Sequence, residues 1–172
     1  QIKVACVGNS ITENIALSNE QKYPSILQDL LGNGYIVRNY GIGARTVLKK
    51  GDYPYWNEER YKEVLAWNPD IVIVKMGTND AKAQNWAYKD NFESDYIEFI
   101  LSFQTLPSHP KVFICYPIPT FKDNFLPVDD QLLVKEMMPM IDNISKATCA
   151  DIIDLHTPLV GKDDCVYDKV HP

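Results

Sequence analysis

The chain alternates short apolar runs with longer segments in which apolar residues recur at helical spacing. Five runs are almost continuously apolar, as expected for parallel strands covered on both faces, and they lie at residues 2–7, 35–39, 71–76, 112–116 and 151–155. The periodic segments predict helices over residues 24–31, 58–67, 92–103 and 128–147. Pro139 lies inside the last of these, where it is expected to kink or break the helix.

Strict alternation of strand and helix predicts right-handed crossovers and a three-layer α/β/α domain. A length of 172 residues suits one domain spanning residues 1–172. Long loops at residues 40–56 and 77–91 follow the second and third strands. They therefore lie at the carboxyl edge of the predicted sheet, which is where open α/β sheets bind ligands.

Composition excludes some classes of partner and leaves others open. Seventeen basic against 23 acidic residues give a formal charge of −6, which argues against nucleic acid or an anionic membrane as partner. No stretch approaches the ~18 apolar residues that span a bilayer. The four cysteines lack C-x-x-C spacing, so neither a metal site nor a redox dithiol is predicted. A Cys149–Cys165 disulfide is permitted without being indicated, and the compartment stays open.

The first strand delivers Ser10 to a sharp turn. A serine at this place can cap the following helix, help to cradle a phosphate as in flavodoxin-like proteins, or act as a nucleophile beside a base. The residues around it, Gly8-x-Ser10-x-Thr12, lack the second glycine of the G-x-S-x-G nucleophile turn. The turn alone therefore leaves all three interpretations open.

A nucleophilic serine needs a histidine, and the chain has three. His109 precedes the fourth strand and so lies at the wrong edge of the sheet, whereas His156 follows the fifth strand with Asp154 two residues before it. His171 has Asp168 three residues upstream, a spacing that lets one turn bring the carboxylate to the imidazole Nδ1. We favour His171, although an isolated D-x-x-H is also typical of a surface turn.

Donors for a developing oxyanion are present at the same edge. Asn79 follows the third strand, and the glycine-rich stretch from Asn39 to Thr46 follows the second. Each of these is ordinary turn chemistry when taken alone. Their convergence with a serine and an Asp/His pair on one edge of one sheet is much less expected by chance.

Four blocks of the sequence, "VGNSIT", "NYGIGART", "KMGTND" and "DKVHP", resemble in content and order the motifs of the SGNH hydrolases, the GDSL-type esterases. The resemblance implies a flavodoxin-like sandwich around five parallel strands. It implies Ser10 as nucleophile, with His171 and Asp168 completing a triad. It also implies an oxyanion hole formed by Asn79, the Ser10 N–H and an amide of the second block.

Three features depart from the family pattern. Asn9 stands where the family has aspartate, so a charge is lost while the shape is kept. Ala44 stands where the oxyanion glycine usually lies, with Gly43 just before it as the alternative donor. We favour Ala44, whose N–H survives the replacement provided that its φ is negative. The family usually has one more helix after His-Pro, so the domain is expected to be truncated before it.

The sequence thus predicts a serine esterase that hydrolyses small acyl esters through an acyl-enzyme, most of all O-acetyl groups on carbohydrate, without a cofactor. Tyr55, Trp56 and Trp86 lie in the two long loops and could stack on sugar rings or simply pack. The expected partner is an acetylated sugar, with further domains allowed in a longer chain. Two rivals are a non-catalytic carbohydrate-binding domain of the same fold and a flavodoxin-like flavin- or phosphate-binding protein.

Overall fold

A computed structural model describes the whole chain, Gln1–Pro172, and contains one parallel sheet with the strand order β2-β1-β3-β4-β5. All five predicted strands are confirmed, with ends that differ by at most two residues: β1 is Ile2–Gly8, β2 Tyr35–Gly41, β3 Ile71–Lys75, β4 Lys111–Cys115 and β5 Asp151–Ile153. This order places β1 and β3 side by side at the point where the direction of winding reverses. In such sheets the crevice for a ligand opens at the carboxyl ends of those two strands.

Seven helices connect the strands, and four of them are long. The helices are α1 Ser10–Glu13, α2 Tyr23–Leu31, α3 Glu59–Trp67, α4 Ala83–Trp86, α5 Phe92–Gln104, α6 Asp130–Leu132 and α7 Met138–Thr148. The predicted helices at residues 24–31, 58–67 and 92–103 are confirmed as α2, α3 and α5. The short α1 and α4 have too few residues to show a period in the sequence.

The predicted helix at residues 128–147 is divided. A π-helical segment, Leu133–Met137, separates α6 from α7, and Pro139 lies in the first turn of α7. Proline has no N–H to donate to the preceding turn, so the hydrogen-bond register changes just before it. Pro139, which was expected to kink or break the helix, therefore coincides with a change in its hydrogen-bond register, and the helix continues past it.

Helices cover the two faces of the sheet unequally. The main core contains alternate residues of β1, β3 and β4 packed against α3, α5 and α7, including Phe99, Phe103 and Ile141, none of which is exposed. The other face carries Ile73, Cys115 and Ile153 and is covered by α2, beside an apolar cavity of about 570 Å³. This arrangement confirms three layers. The helix expected after Pro172 stays a prediction.

Two further observations concern cysteines and membranes. All four cysteines are free thiols, so the disulfide that the spacing of Cys149 and Cys165 would permit is not formed. None of the helices combines the length and the hydropathy needed to cross a bilayer.

Candidate active site

Ser10 is placed by a tight turn at the carboxyl end of β1. Asn9 caps α1, because its Oδ1 accepts a hydrogen bond from the Ile11 N–H at 3.2 Å, and Ser10 is the first residue of that helix. Gly8 has no room for a side chain, since a Cβ there would lie 2.1 Å from Thr12 Oγ1 and 2.8 Å from the Lys75 carbonyl oxygen. The turn thus packs closely against β3, and the Ser10 hydroxyl lies at the carboxyl edge of the sheet.

A continuous chain of hydrogen bonds joins Ser10, His171 and Asp168, although Ser10 and His171 are 161 residues apart in the sequence. The Ser10 Oγ lies 2.7 Å from His171 Nε2, and His171 Nδ1 lies 2.6 Å from Asp168 Oδ2. A carboxylate only accepts hydrogen bonds, so Nδ1 carries the imidazole proton and Nε2 accepts from the serine hydroxyl. All three residues that the resemblance assigns to the triad are therefore brought together.

Backbone contacts hold the Asp168 carboxylate in place. Its Oδ1 accepts the backbone N–H groups of Val170 at 3.0 Å and of His171 at 2.7 Å. Partial burial acts to raise the pKa of Asp168, but hydrogen bonds from the His171 backbone and ring and from Val170, with the attraction of the imidazole, lower it below its ordinary value. Asp168 is therefore an anion at neutral pH and can orient the ring of His171.

The other two histidines have different surroundings. The His156 ring is buried and contacts Asp130, with 3.2 Å between Nε2 and Oδ1. Asp154 accepts the backbone N–H of His156 rather than approaching its ring. His109 precedes β4, at the edge opposite Ser10. The preference for His171 over His156 agrees with this geometry.

The loop after β2 brings a free backbone donor close to Ser10. A Cβ built on Gly43 would lie only 3.7 Å from the Ser10 Cβ, so this loop borders the hydroxyl. The Gly43 N–H donates to Glu13 Oε2 at 2.6 Å, whereas the Ala44 N–H has no hydrogen-bond partner. Of the two candidate oxyanion donors, only Ala44 is left available.

Ala44 adopts a left-handed conformation with a φ of 66°, contrary to the expectation of a negative φ. Such a φ crowds the Cβ of an L-residue and costs roughly 1–2 kcal/mol. The conformation is held by neighbours: Glu13 binds the Gly43 N–H, and Arg45 donates to the Gly43 carbonyl at 2.9 Å and pairs with Glu58 at 2.7 Å. Tertiary contacts thus impose a backbone that the alanine itself disfavours.

Glycine at position 44 should relieve this strain. We expect Ala44→Gly to leave the free energy of unfolding unchanged or to raise it by up to about 1 kcal/mol, because relief of the left-handed penalty offsets the greater entropy of unfolded glycine. The exposed Ala147 of α7 is the matched control, and Ala147→Gly should lower stability by about 0.5–1 kcal/mol. Urea unfolding of both variants checks this, and equal destabilisation would contradict a left-handed Ala44.

Asn79 joins the loop after β3 to the loop that carries Ala44. Its side chain is 2% exposed, and Nδ2 donates to the Arg45 carbonyl at 3.2 Å. Nδ2 has two hydrogens, so one remains for a substrate oxygen. The backbone carbonyl of Asn79 accepts a hydrogen bond from Asn85 Nδ2 at 2.8 Å, which fixes the turn from the other side.

Asp80, a neighbour that the sequence analysis left without a role, anchors the same loop. Its Oδ1 accepts the backbone N–H groups of Val47 at 2.9 Å and Leu48 at 2.8 Å, while its buried Oδ2 has no partner. Burial raises the pKa of Asp80 to about 7 despite these hydrogen bonds. Burial likewise lowers the pKa of Lys75, which donates to Thr78 Oγ1 at 3.0 Å, to about 7.

Of the three aromatic residues considered as sugar contacts, Tyr55 and Trp86 are buried in the core, whereas Trp56 is partly exposed and its contact with a sugar stays a prediction. Tyr55 has no exposed surface and donates its hydroxyl proton to the Tyr40 carbonyl. Trp86 is 7% exposed and donates to Glu136, and the ring of Trp56 packs on Phe99 while its N–H donates to Val47. Tyrosine and tryptophan carry one polar atom that a nearby carbonyl can satisfy, so they suit a core as well as a binding surface.

Two aromatic residues that the sequence analysis passed over lie beside the triad. The rings of Phe125 and Tyr167 are nearly parallel to the His171 imidazole, with centroids 5.9 Å and 6.2 Å from it. Tyr167 directly precedes Asp168, which is a local signal of its position, whereas nothing in the sequence places Phe125. No cluster of three or more metal-ligating side chains is present anywhere in the structure.

Comparisons with known proteins identify the family of this chain. The GDSL-like Lipase/Acylhydrolase family matches residues 6–172. An acetylxylan esterase of Xylanibacter ruminicola is 38% identical over 191 aligned residues, which cover 99% of this chain but 40% of that protein. The chain thus spans about 40% of the length of this curated relative.

Solved structures share the fold. The acetyl xylan esterase AlAXEase superimposes with a TM-score of 0.76 at 26% identity, over 99% of this chain and 91% of that one. Est24, a carbohydrate acetylesterase from Sinorhizobium meliloti, has a TM-score of 0.71 at 19% identity, over 90% and 84% of the two chains. The motifs, the fold and the family match agree, and the chain belongs to the GDSL-like lipase/acylhydrolase family, the GDSL-type esterases whose motifs its sequence resembles.

Proposed function

We propose that this chain is a serine esterase that removes O-acetyl groups from carbohydrate. The observation that carries the proposal is the hydrogen-bond chain from Ser10 through His171 to Asp168, with distances of 2.7 Å and 2.6 Å. The family supports ester hydrolysis as the reaction. The acetylxylan esterase among its relatives supports acetylated polysaccharide as the substrate class.

In the first half-reaction, Ser10 Oγ attacks the acyl carbon while its proton passes to His171 Nε2. The carbonyl oxygen becomes an oxyanion, which the Asn79 side chain and the backbone N–H groups of Ala44 and Ser10 stabilise by hydrogen bonding. The bond from the acyl carbon to the sugar oxygen then breaks. His171 gives its proton to that oxygen, so the sugar leaves as a free alcohol and the acetyl group stays on Ser10.

Water completes the cycle. His171 takes a proton from water, whose oxygen attacks the acetyl carbon, and the same oxyanion donors act again. The bond to Ser10 breaks, Ser10 Oγ recovers its proton from His171, and acetate is released. Asp168 stays an anion throughout, and stabilises the imidazolium that forms twice in each turnover.

Release of acetate from acetylated xylo-oligosaccharides tests this proposal. We expect turnover of these sugars and of p-nitrophenyl acetate, with activity that falls sharply as the acyl chain of p-nitrophenyl esters lengthens. De-esterified oligosaccharide serves as the control for free acetate. Binding of the oligosaccharide without any release of acetate would contradict the proposal in favour of a non-catalytic carbohydrate-binding domain.

A further inference from the structure

Two large aromatic side chains beside the triad are exposed to solvent. Phe125 is 61% exposed and Tyr167 is 62% exposed, and both rings lie within 24° of parallel to the His171 imidazole. A single exposed aromatic residue needs no explanation. Two that lie beside the same catalytic imidazole are different, because the substrate also has to lie beside that imidazole.

Hydrogen bonds hold together the two loops that carry these rings. Asn124, just before Phe125, donates to the carbonyl groups of Phe121 and Val128, both at 2.9 Å, and accepts the Val128 N–H at 3.1 Å. The Phe121 N–H donates to the Lys169 carbonyl at 3.0 Å, which joins this loop to the one that carries Tyr167. The backbone that carries both rings is therefore held in position before any substrate binds.

The chemistry of the reaction decides which part of the substrate reaches them. His171 has to return a proton to the leaving oxygen, so that oxygen lies within hydrogen-bond distance of Nε2. The alcohol carbon is bonded directly to that oxygen, whereas the acetyl methyl points away from it on the acyl carbon. The sugar that leaves the acyl carbon consequently lies beside His171, the residue whose ring has Phe125 and Tyr167 as aromatic neighbours.

We propose that Phe125 and Tyr167 form the subsite for the leaving sugar, in which their rings contact the apolar C–H face of the pyranose that carries the acetyl group. This inference rests on the proposed function. In this inference Phe125 and Tyr167 contact the sugar in place of the buried Tyr55 and Trp86. Contact with the alcohol part is made in the ground state and in the transition state alike, so its loss raises KM and leaves kcat largely unchanged.

Two substrates with the same acyl group separate sugar binding from acyl chemistry. Acetylated xylo-oligosaccharide has a ring to stack, whereas the ethanol that leaves ethyl acetate has none. p-Nitrophenyl acetate is unsuitable as the control because its own aromatic ring can stack. We expect Phe125→Ala and Tyr167→Ala each to lower kcat/KM for the sugar about tenfold through KM, and to leave kcat/KM for ethyl acetate nearly unchanged.

Matched variants complete the test. Phe125→Tyr and Tyr167→Phe keep a ring and should retain sugar activity, and Leu101→Ala removes a 43% exposed apolar side chain from α5 without effect on either substrate. An equal loss on both substrates would overturn the inference, because the rings would then act through the position of His171. Sugar activity that survives both alanine variants would overturn it too. Wild-type protein that hydrolyses ethyl acetate but no acetylated sugar would instead contradict the proposed function, and this inference with it.

Discussion

Ser10→Ala should reduce kcat for acetate release by about 10⁴- to 10⁶-fold and leave the fold intact. The variant keeps every hydrogen bond of the turn except the one from its own hydroxyl to His171, because Asn9 caps α1 and the backbone of residue 10 is unchanged. What it loses is the atom that would become acylated. Residual activity would then come from the oxyanion donors acting on direct attack by water.

A covalent probe distinguishes loss of the nucleophile from a general loss of activity. An alkyl fluorophosphonate should label the wild-type protein once, at Ser10, and should fail to label Ser10→Ala. Ser94→Ala, which removes an exposed hydroxyl from α5, is the matched control and should label like wild type. Labelling that persists in a folded Ser10→Ala protein would contradict the assignment of Ser10.

The histidines provide an internal comparison within the same prediction. His171→Ala should approach the loss seen for Ser10→Ala, since the members of a triad act as a unit. His156→Ala should keep most of kcat, because the ring of His156 contacts Asp130 and not Ser10. If His156 were essential and His171 dispensable, the proposed mechanism would fail.

Much of the fold and of the triad could be predicted because the signals are local. Strands buried on both faces require continuous apolar runs, and five such runs with helical segments between them leave few alternatives to a parallel sheet. Ser10 directly follows β1, and Asp168 and His171 are three residues apart. These local patterns placed Ser10 at the carboxyl edge of the sheet and paired Asp168 with His171, and the resemblance to the SGNH motifs joined them into one predicted triad.

Features that depend on tertiary contacts could not be predicted in this way. Tyr55 and Trp86 lie in segments that the sequence predicts as loops, yet both are buried, and their polar atoms find partners in Tyr40 and Glu136. The left-handed Ala44 runs against its own local preference, so no local rule would propose it. Such positions are the ones at which tertiary structure overrides propensity.

Two carboxylates explain how the oxyanion loop keeps this shape. Glu13, from the end of α1, binds the Gly43 N–H, and Asp80, from the loop after β3, binds the Val47 and Leu48 N–H groups. Between these anchors the N–H groups of Ala44 and Arg45 have no hydrogen-bond partner, and Ala44 directly follows Gly43, which borders Ser10. The loop is therefore set before substrate arrives, which is the condition for donors to stabilise charge without reorganising.

Asn79→Ala should lower kcat by about 10²- to 10³-fold with little change in KM, because its remaining N–H strengthens its hydrogen bond only as negative charge develops on the substrate oxygen. The bond to the Arg45 carbonyl is lost in this variant and also in a second one, Asn79→Asp, because a carboxylate cannot donate. It keeps the size of the side chain but replaces donors with acceptors, and it should be at least as slow as the alanine variant.

The backbone donor is tested at Ala44 under single-turnover conditions, in which product release cannot hide the chemical step. Proline fixes φ near −65°, and therefore Ala44→Pro would both remove the N–H and distort a residue whose φ is 66°. A depsipeptide substitution, in which an ester oxygen replaces the Ala44 N–H by chemical ligation, removes the donor and keeps the left-handed backbone. We expect it to lower the acylation rate about 10²-fold, as loss of one oxyanion donor does.

The same replacement at the N–H of exposed Ala147 is the control, and should leave the rate unchanged. An unaltered rate in the Ala44 ester would show that Asn79 and Ser10 stabilise the oxyanion without this loop. Wild-type kcat in Asn79→Ala would show that the block "KMGTND", which contains Asn79, takes no part in the mechanism.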